Sequence, residues 1–263
     1  MTLKQKILLN MTLGIISFLW LTYVLTPLAA MSIILMISFH EYCHLRKAKQ
    51  LGCQTKGMYF LPMLGMVAII DDFQNDAYVE NRVAIAGPIG GLVLTTIICL
   101  VGWIYNIPIL LAIATIGAVI NVFNLVPVYP LDGGRIFKSV AFSIGYKTGI
   151  IILIMGAILG VVWFVCWDTN AVIGIVAFMA ILSVFAVPLY HKQYPQFKKM
   201  TFTQGLVTVI AFVMMLIWGF LIATPGLTLN QKFGKSVERQ TTIQLYGKLF
   251  PSQLRELREI KEK

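Results

Sequence analysis

A chain of 263 residues that is 58% hydrophobic and only 12% charged, with mean hydropathy +0.82, is not an ordinary soluble globule, in which about 25% of residues are charged. Apolar runs of about 20 residues recur along most of its length, so lipid rather than water is the solvent for this fold. The net charge of +10 does not point to nucleic acid, because no zinc-finger or RNP-type spacing is present and Lys and Arg gather at cytoplasmic loops and anionic headgroups.

In chain order, the apolar runs between charged breaks predict seven candidate spans, near 7–25, 27–45, 83–104, 108–130, 148–167, 170–190 and 203–224. The predicted fold class is an all-α polytopic membrane protein of about six or seven transmembrane helices. The run 7–25 follows Lys4 and Lys6 as a signal peptide would, but it is too long for a typical apolar signal region. A second apolar run follows almost at once, and no Ala-x-Ala-like site closes the first, so it reads as a retained span.

With the N-terminus inside, the inner segments hold 13 of the 21 basic residues, and the three outer loops, near 26, 106 and 168, hold none. The other eight lie after Gly226, where seven spans would place them outside. The loops thus agree on an orientation that the tail does not. Residues 1–224 read as one membrane domain with its core at 27–140. Residues 225–263 read as a polar, basic tail ending in a solvated, helix-like segment. His191 and Trp20 read as interfacial anchors.

Residues 57–70 are apolar but too short to span, are interrupted by Pro62 and Gly65, and are followed by Asp71, Asp72 and Asp76. A re-entrant segment or a membrane-lying β-hairpin fits, since such backbone survives at membrane depth only under a protein cover.

Only two of the 11 acidic residues, Glu41 and Asp132, are embedded in apolar spans, and His40 and His44 flank the first of them. Ionisable groups at that depth are costly and carry a functional reading by default. His40-Glu41-Tyr42-Cys43-His44 is an H-E-x-x-H sequence. On a helix, residues four apart share a face, so both imidazoles reach one zinc ion, with Glu41 beside the water on it. Zinc then needs a third protein ligand and one open position. Asp132 is the remaining intramembrane acid, in a segment broken by Pro127, Pro130 and the Gly133–Gly134 pair, which turns its carboxylate inward. The competing reading is that Asp132 only caps a helix beginning near Arg135. Both motifs fall near cytoplasmic ends of spans, which places them at one depth. The four cysteines form no C-x-x-C pair, and Cys43 points away from the face the histidines share.

H-E-Y-C-H in one span and N-L-V-P-V-Y-P-L-D-G-G in a later one resemble the site-2 protease family of intramembrane metalloproteases. The sporulation-protease branch, which has no PDZ insertion between the motifs, is most alike over roughly residues 27–140. The resemblance implies His40, His44 and Asp132 as ligands of one zinc ion, Glu41 as catalytic base, and Asn124 as donor to the oxyanion or substrate backbone. It also implies that segment 57–70 presents the substrate as an added strand, with Leu64, Gly65 and Met66 as substrate-binding positions and Tyr59, Phe60 and Leu64 able to gate the site. The family's G-P-x-x-N element departs here, as Gly87-Pro-Ile-Gly-Gly91 without the asparagine. No CBS domain fits in the 39 residues after the last predicted span.

Two rivals stand beside this reading. A prenyl-processing protease also carries H-E-x-x-H in a membrane helix but takes a later Glu or His as third ligand, which is missing here. A non-proteolytic zinc-binding transporter or scaffold needs no base beside its ligands, so Glu41 discriminates. The implied partners are a transmembrane or membrane-tethered substrate and membrane lipids, with room for a regulatory membrane protein. The implied location is a prokaryotic plasma membrane, with the site near the cytoplasmic side.

Overall fold

A computed structural model of the chain describes residues 3–61, 65–70, 73, 75–166 and 198–223. The described elements are α1 (Leu3–Val24), α2 (Pro27–Gln50), β1 (Thr55–Leu61), β2 (Gly65–Ile70), α3 (Ala77–Ile104), α4 (Pro108–Asn124), α5 (Asp132–Ile144) and α6 (Tyr146–Cys166), followed by α7 (Phe202–Ala223). Among the described residues, α2, α3 and α7 are the three helices long and apolar enough to cross a membrane. Shorter apolar stretches lie at Leu8–Val24, Pro108–Asn124 and Tyr146–Gly156. The expected run 170–190, His191 and the tail from 225 lie outside the described residues.

Burial is inverted relative to a water-soluble protein. Tyr23, Trp103 and Leu221 are exposed, while His40, Glu80, Asn81, Asn121, Asp132 and Lys138 are buried. In water so much exposed apolar surface would drive association, whereas in lipid it is the ordinary outer face. The interior is made largely of small residues, including Ala30, Ala84, Ala114 and Ala118, which lets the helices approach closely. One core cluster joins α3, α4, α5 and α7 through Ala84, Leu92, Ala118, Ile136, Phe212 and Met215. Polar pairs add to it: Asn81 donates to Thr208 Oγ1 at 2.7 Å and Trp218 to Thr96 Oγ1 at 3.0 Å.

The segment after α2 is an antiparallel hairpin, with Met58 opposite Ala68 and Phe60 opposite Met66. The outer edge of β1 is taken by α1, where Asn10 accepts from Phe60 N at 2.7 Å and donates to Met58 O at 3.1 Å. The hairpin also packs on α2. Asp76 caps α3 by accepting from Tyr78 N and Val79 N, and it pairs with Lys198 at 2.7 Å, tying the start of α7 to the start of α3.

Two expectations are corrected. The fourth apolar run ends as a helix at Asn124, not near 130, because Pro127 and Pro130 cannot continue it. Asp132 opens a separate helix, α5. Glu80, grouped by its sequence position with loop and span-edge acids, is 3% exposed. It receives Lys138 Nζ at 2.7 Å and lies 3.8 Å from Arg135 Nε, so α3 and α5 are joined by a buried charge cluster. Glu80→Ala removes the carboxylate from a buried lysine and is expected to cost about 3–5 kcal/mol in detergent unfolding. A Glu80→Leu, Lys138→Met double variant is expected to recover most of that loss.

Candidate metal centre

The first two ligand candidates are placed by helix geometry alone. α2 begins at Pro27 under a Thr26 cap, whose hydroxyl accepts from Ala29 N at 3.2 Å, and runs without a break to Gln50. His40 and His44, four residues apart, therefore lie one above the other, with ring centroids 4.7 Å apart and side chains nearly fully buried. Cys43 faces another way, onto Gly90 of α3.

Asp132 is placed by a folded turn. Residues 125–131 turn back over the first turn of α5 so closely that a Cβ on Gly133 would overlap the Leu125 carbonyl. The expected break is present over residues 125–131; the glycine pair lies just beyond it, in the first turn of α5, and is glycine because backbone lies against it. Asp132 is the first residue of α5, and its carboxylate points at α2 rather than capping its own helix, whose N-cap is Leu131.

Three donor atoms converge. His40 Nε2 lies 2.9 Å from Asp132 Oδ2, His44 Nε2 lies 3.0 Å from the same oxygen, and the two Nε2 atoms are 3.0 Å apart. The far side of each imidazole decides its protonation pattern. His44 Nδ1 donates to the Val83 carbonyl at 2.7 Å. Asn121 Nδ2 donates to the Gly117 carbonyl at 2.8 Å, which turns its Oδ1 toward His40 Nδ1, 3.0 Å away. Both Nδ1 atoms thus carry the proton, and both Nε2 lone pairs face each other and a carboxylate oxygen. With both imidazoles neutral, three acceptors stand about 3 Å apart in a buried site, an arrangement that a shared cation, a metal ion or a further proton, stabilises.

Two imidazoles and a carboxylate suit zinc. Tetrahedral donors around it stand about 3.3 Å from one another, so each atom here would move outward by only a few tenths of an ångström. The second oxygen, Asp132 Oδ1, lies 3.9 Å from Arg135 Nη1. The α3 wall of the centre is Gly87, where a Cβ would overlap His44 Nε2 and stand 2.7 Å from His40 Nε2.

The other expected residues make contacts of their own. Half-buried Glu41 accepts from the backbone N–H of Ala68 on β2 at 2.8 Å. Asn124 is the last residue of α4, three beyond Asn121 and on the same face. Gly65 and Met66 begin β2, opposite Leu61 and Phe60, and Leu64 lies outside the described residues. Tyr59 donates its hydroxyl to the Lys56 carbonyl at 3.2 Å, and the Phe60 ring packs on Gly14 of α1. The sequence reading missed Asn121 and the Val83 carbonyl. Asn121 could have been found as a polar residue inside an apolar helix, by the same logic that flagged Asp132. A backbone acceptor leaves no trace in side-chain identity.

Residues 103–163 match peptidase family M50, a stretch that holds Asn121, Asn124 and Asp132. The chain is also 28% identical over 148 residues to a zinc metalloprotease of Methanocaldococcus jannaschii, covering 49% of this chain and 43% of that one. It is 29% identical over 127 residues to a protein of Synechocystis named as a zinc metalloprotease, covering 46% of this chain and 33% of that one. The chain therefore matches less than half the length of either relative. The family match and the names of both relatives agree with the zinc metalloprotease character that the motifs resemble.

Because Gly87 borders the three donors, Gly87→Ala is expected to lower zinc affinity at least tenfold, measured by competition with a chelator, even where the protein still folds.

Proposed function

We propose that the chain is an intramembrane zinc metalloprotease of the site-2 type, hydrolysing peptide bonds within or beside transmembrane segments of membrane-tethered precursors. The observation that carries this is the convergence of three acceptors, with both Nδ1 atoms already committed, on an H-E-x-x-H helix. The family match and the names of the two relatives support it.

In this reading His40, His44 and Asp132 hold zinc, whose chemistry at such a site is to acidify a water molecule and polarise a carbonyl. Glu41 takes a proton from the attacking water as its oxygen bonds to the scissile carbon, and passes that proton to the amine as the C–N bond breaks. Asn124 donates from its amide to the oxygen on which charge develops, an effect worth about 3 kcal/mol in comparable sites. The scissile segment must leave its helix first, since a helical carbonyl is held in its own ladder. In this reading an extended segment would recover those hydrogen bonds along the outer edge of β2, where it would displace Glu41 from the Ala68 N–H, with Gly65 and Met66 of β2, and Leu64 before them in sequence, as the substrate-binding positions.

The wider architecture follows as part of the proposal: six to seven spans in one domain over residues 1–224, a polar tail beyond, and a plasma-membrane location. The centre lies toward the cytoplasmic side. Arg46, Lys47 and Lys49 at the basic end of α2, a few residues beyond His44, support that orientation.

The test is zinc content of the detergent-purified protein, alongside cleavage of a model transmembrane substrate. Wild type should hold about one zinc per chain, and His44→Ala and Asp132→Ala should lose it. Glu41→Gln should keep zinc while losing cleavage by about 10²-fold or more. An active Glu41→Gln would end the mechanism in which Glu41 is the base, and a zinc-loaded wild type that cleaves nothing would favour the transporter or scaffold reading.

A further inference from the structure

Asn121 touches a ligand candidate without belonging to the ligand set. It is fully buried on α4, one helix away from the histidines of α2, and all of its carboxamide contacts are directed. The Gly117 carbonyl, one turn back on the same helix, accepts from Nδ2. That leaves Oδ1 as the only group able to face His40, and an amide oxygen can only accept. The ring of His40 is therefore fixed in orientation and in tautomer by a neutral partner. His44 obtains the same from a backbone carbonyl, which no substitution of a side chain can remove.

The carboxamide reaches His40 only because position 91 is empty. A Cβ on Gly91 of α3 would overlap Asn121 Oδ1 and stand 2.6 Å from Nδ2. α2, α3 and α4 thus meet where one helix supplies the imidazole, one supplies the amide, and one supplies the space it fills. Since a side chain at 91 would start where the amide oxygen of Asn121 now lies, the space admits an amide from either helix but not from both.

We propose that Asn121 is a positioning residue for the metal centre, holding His40 with its Nε2 lone pair toward the site, and that Gly91 and Asn121 form one exchangeable unit. The assignment rests on the metalloprotease reading above. It says nothing of contact with substrate, so Asn121 acts only through His40. Its neutrality matters as well. A carboxylate in its place would accept from the same Nδ1–H but would add a second buried negative charge beside Asp132, making the imidazole a stronger donor to the metal and the centre a weaker Lewis acid.

The experiment uses the full chain in detergent. Zinc affinity is measured by chelator competition, and the d–d spectrum is recorded after loading with Co²⁺. Unfolding midpoints and cleavage are followed in parallel. Asn121→Ala is expected to bind zinc about 10- to 100-fold more weakly, with an altered cobalt spectrum. Asn121→Asp, which keeps the acceptor, should retain zinc and lose part of its cleavage rate. The exchange variant Gly91→Asn, Asn121→Gly should bring affinity and spectrum back to within a few-fold of wild type. A purely structural asparagine would lower the unfolding midpoint and leave the cobalt spectrum of the folded fraction unchanged, which would overturn the proposal. So would an exchange variant that folds with the wild-type midpoint yet binds zinc as weakly as Asn121→Ala. If zinc binding responds as stated while no variant, wild type included, cleaves a transmembrane substrate, the protease reading fails and the positioning role stands.

Discussion

The Nε2 atoms of two imidazoles and one carboxylate oxygen, held 2.9–3.0 Å apart with both Nδ1 protons already donated elsewhere, make a charge imbalance that the surrounding helices must be built to contain. A cation relieves it, but only if the walls leave room for one and no other donor reaches the lone pairs first. The first condition explains Gly87, which keeps α3 from filling the centre with a side chain. The second explains the far-side partners. Val83 O and Asn121 Oδ1 are acceptors, so neither offers a proton that would turn an imidazole the wrong way round. Helix packing and donor chemistry are here the same requirement.

Around that centre the remaining charges are arranged outward from Asp132. Arg135, one turn along α5, lies near the second carboxylate oxygen, and Glu80 lies between Arg135 and Lys138. Buried ions of both signs within one cluster limit the field that α5 brings to the metal site. The same cluster fastens α5 to α3, and so fixes the depth at which Asp132 enters. The hairpin is held from two sides: α1 takes the outer edge of β1 through Asn10, and α2 meets β2 through Glu41 and Ala68. Both edges of the hairpin are thus engaged, that of β1 by Asn10 and that of β2 by Glu41 at Ala68.

Much of the centre was legible in the sequence because its cost is legible. Histidine and carboxylate inside apolar runs are expensive, so His40, Glu41, His44 and Asp132 stand out, and helical spacing says which two share a face. What was not legible was whatever depends on distant backbone. Why Gly133–Gly134 must be glycine was hidden because its neighbour, the carbonyl of Leu125, becomes adjacent only after the turn has folded. Glu80 read as a span-edge acid because Lys138, 58 residues away, is not visible from its neighbours. Gly91 stood out only as a missing asparagine, and the side chain that fills the space comes from another helix. The hairpin was visible as an apolar segment too short to span. Its register needed the pairing of Met58 with Ala68.

Helix length explains how Asp132 comes to lie at the depth of the histidines. α2 and α3, at 24 and 28 residues, extend about 36 and 42 Å, more than the roughly 30 Å of a hydrocarbon layer, whereas α4, at 17 residues, extends only about 25 Å. α4 therefore stops short of its neighbours' length, and in a lipid layer the chain would turn while still at membrane depth. Such backbone persists only where protein covers it. Leu125 and Val128 are fully buried, Leu131 N bonds to Val128 O at 2.9 Å, and Gly156 of α6 lies against the Pro127 carbonyl. Had α4 continued to 130 as an unbroken helix, its end would lie about 9 Å further along its axis, at about 1.5 Å per residue, and the turn that brings Asp132 back to His40 would be lost. Pro127 and Pro130 are thus as much a part of the centre as its ligands, since they end the helix early enough for a carboxylate to begin the next one beside two histidines.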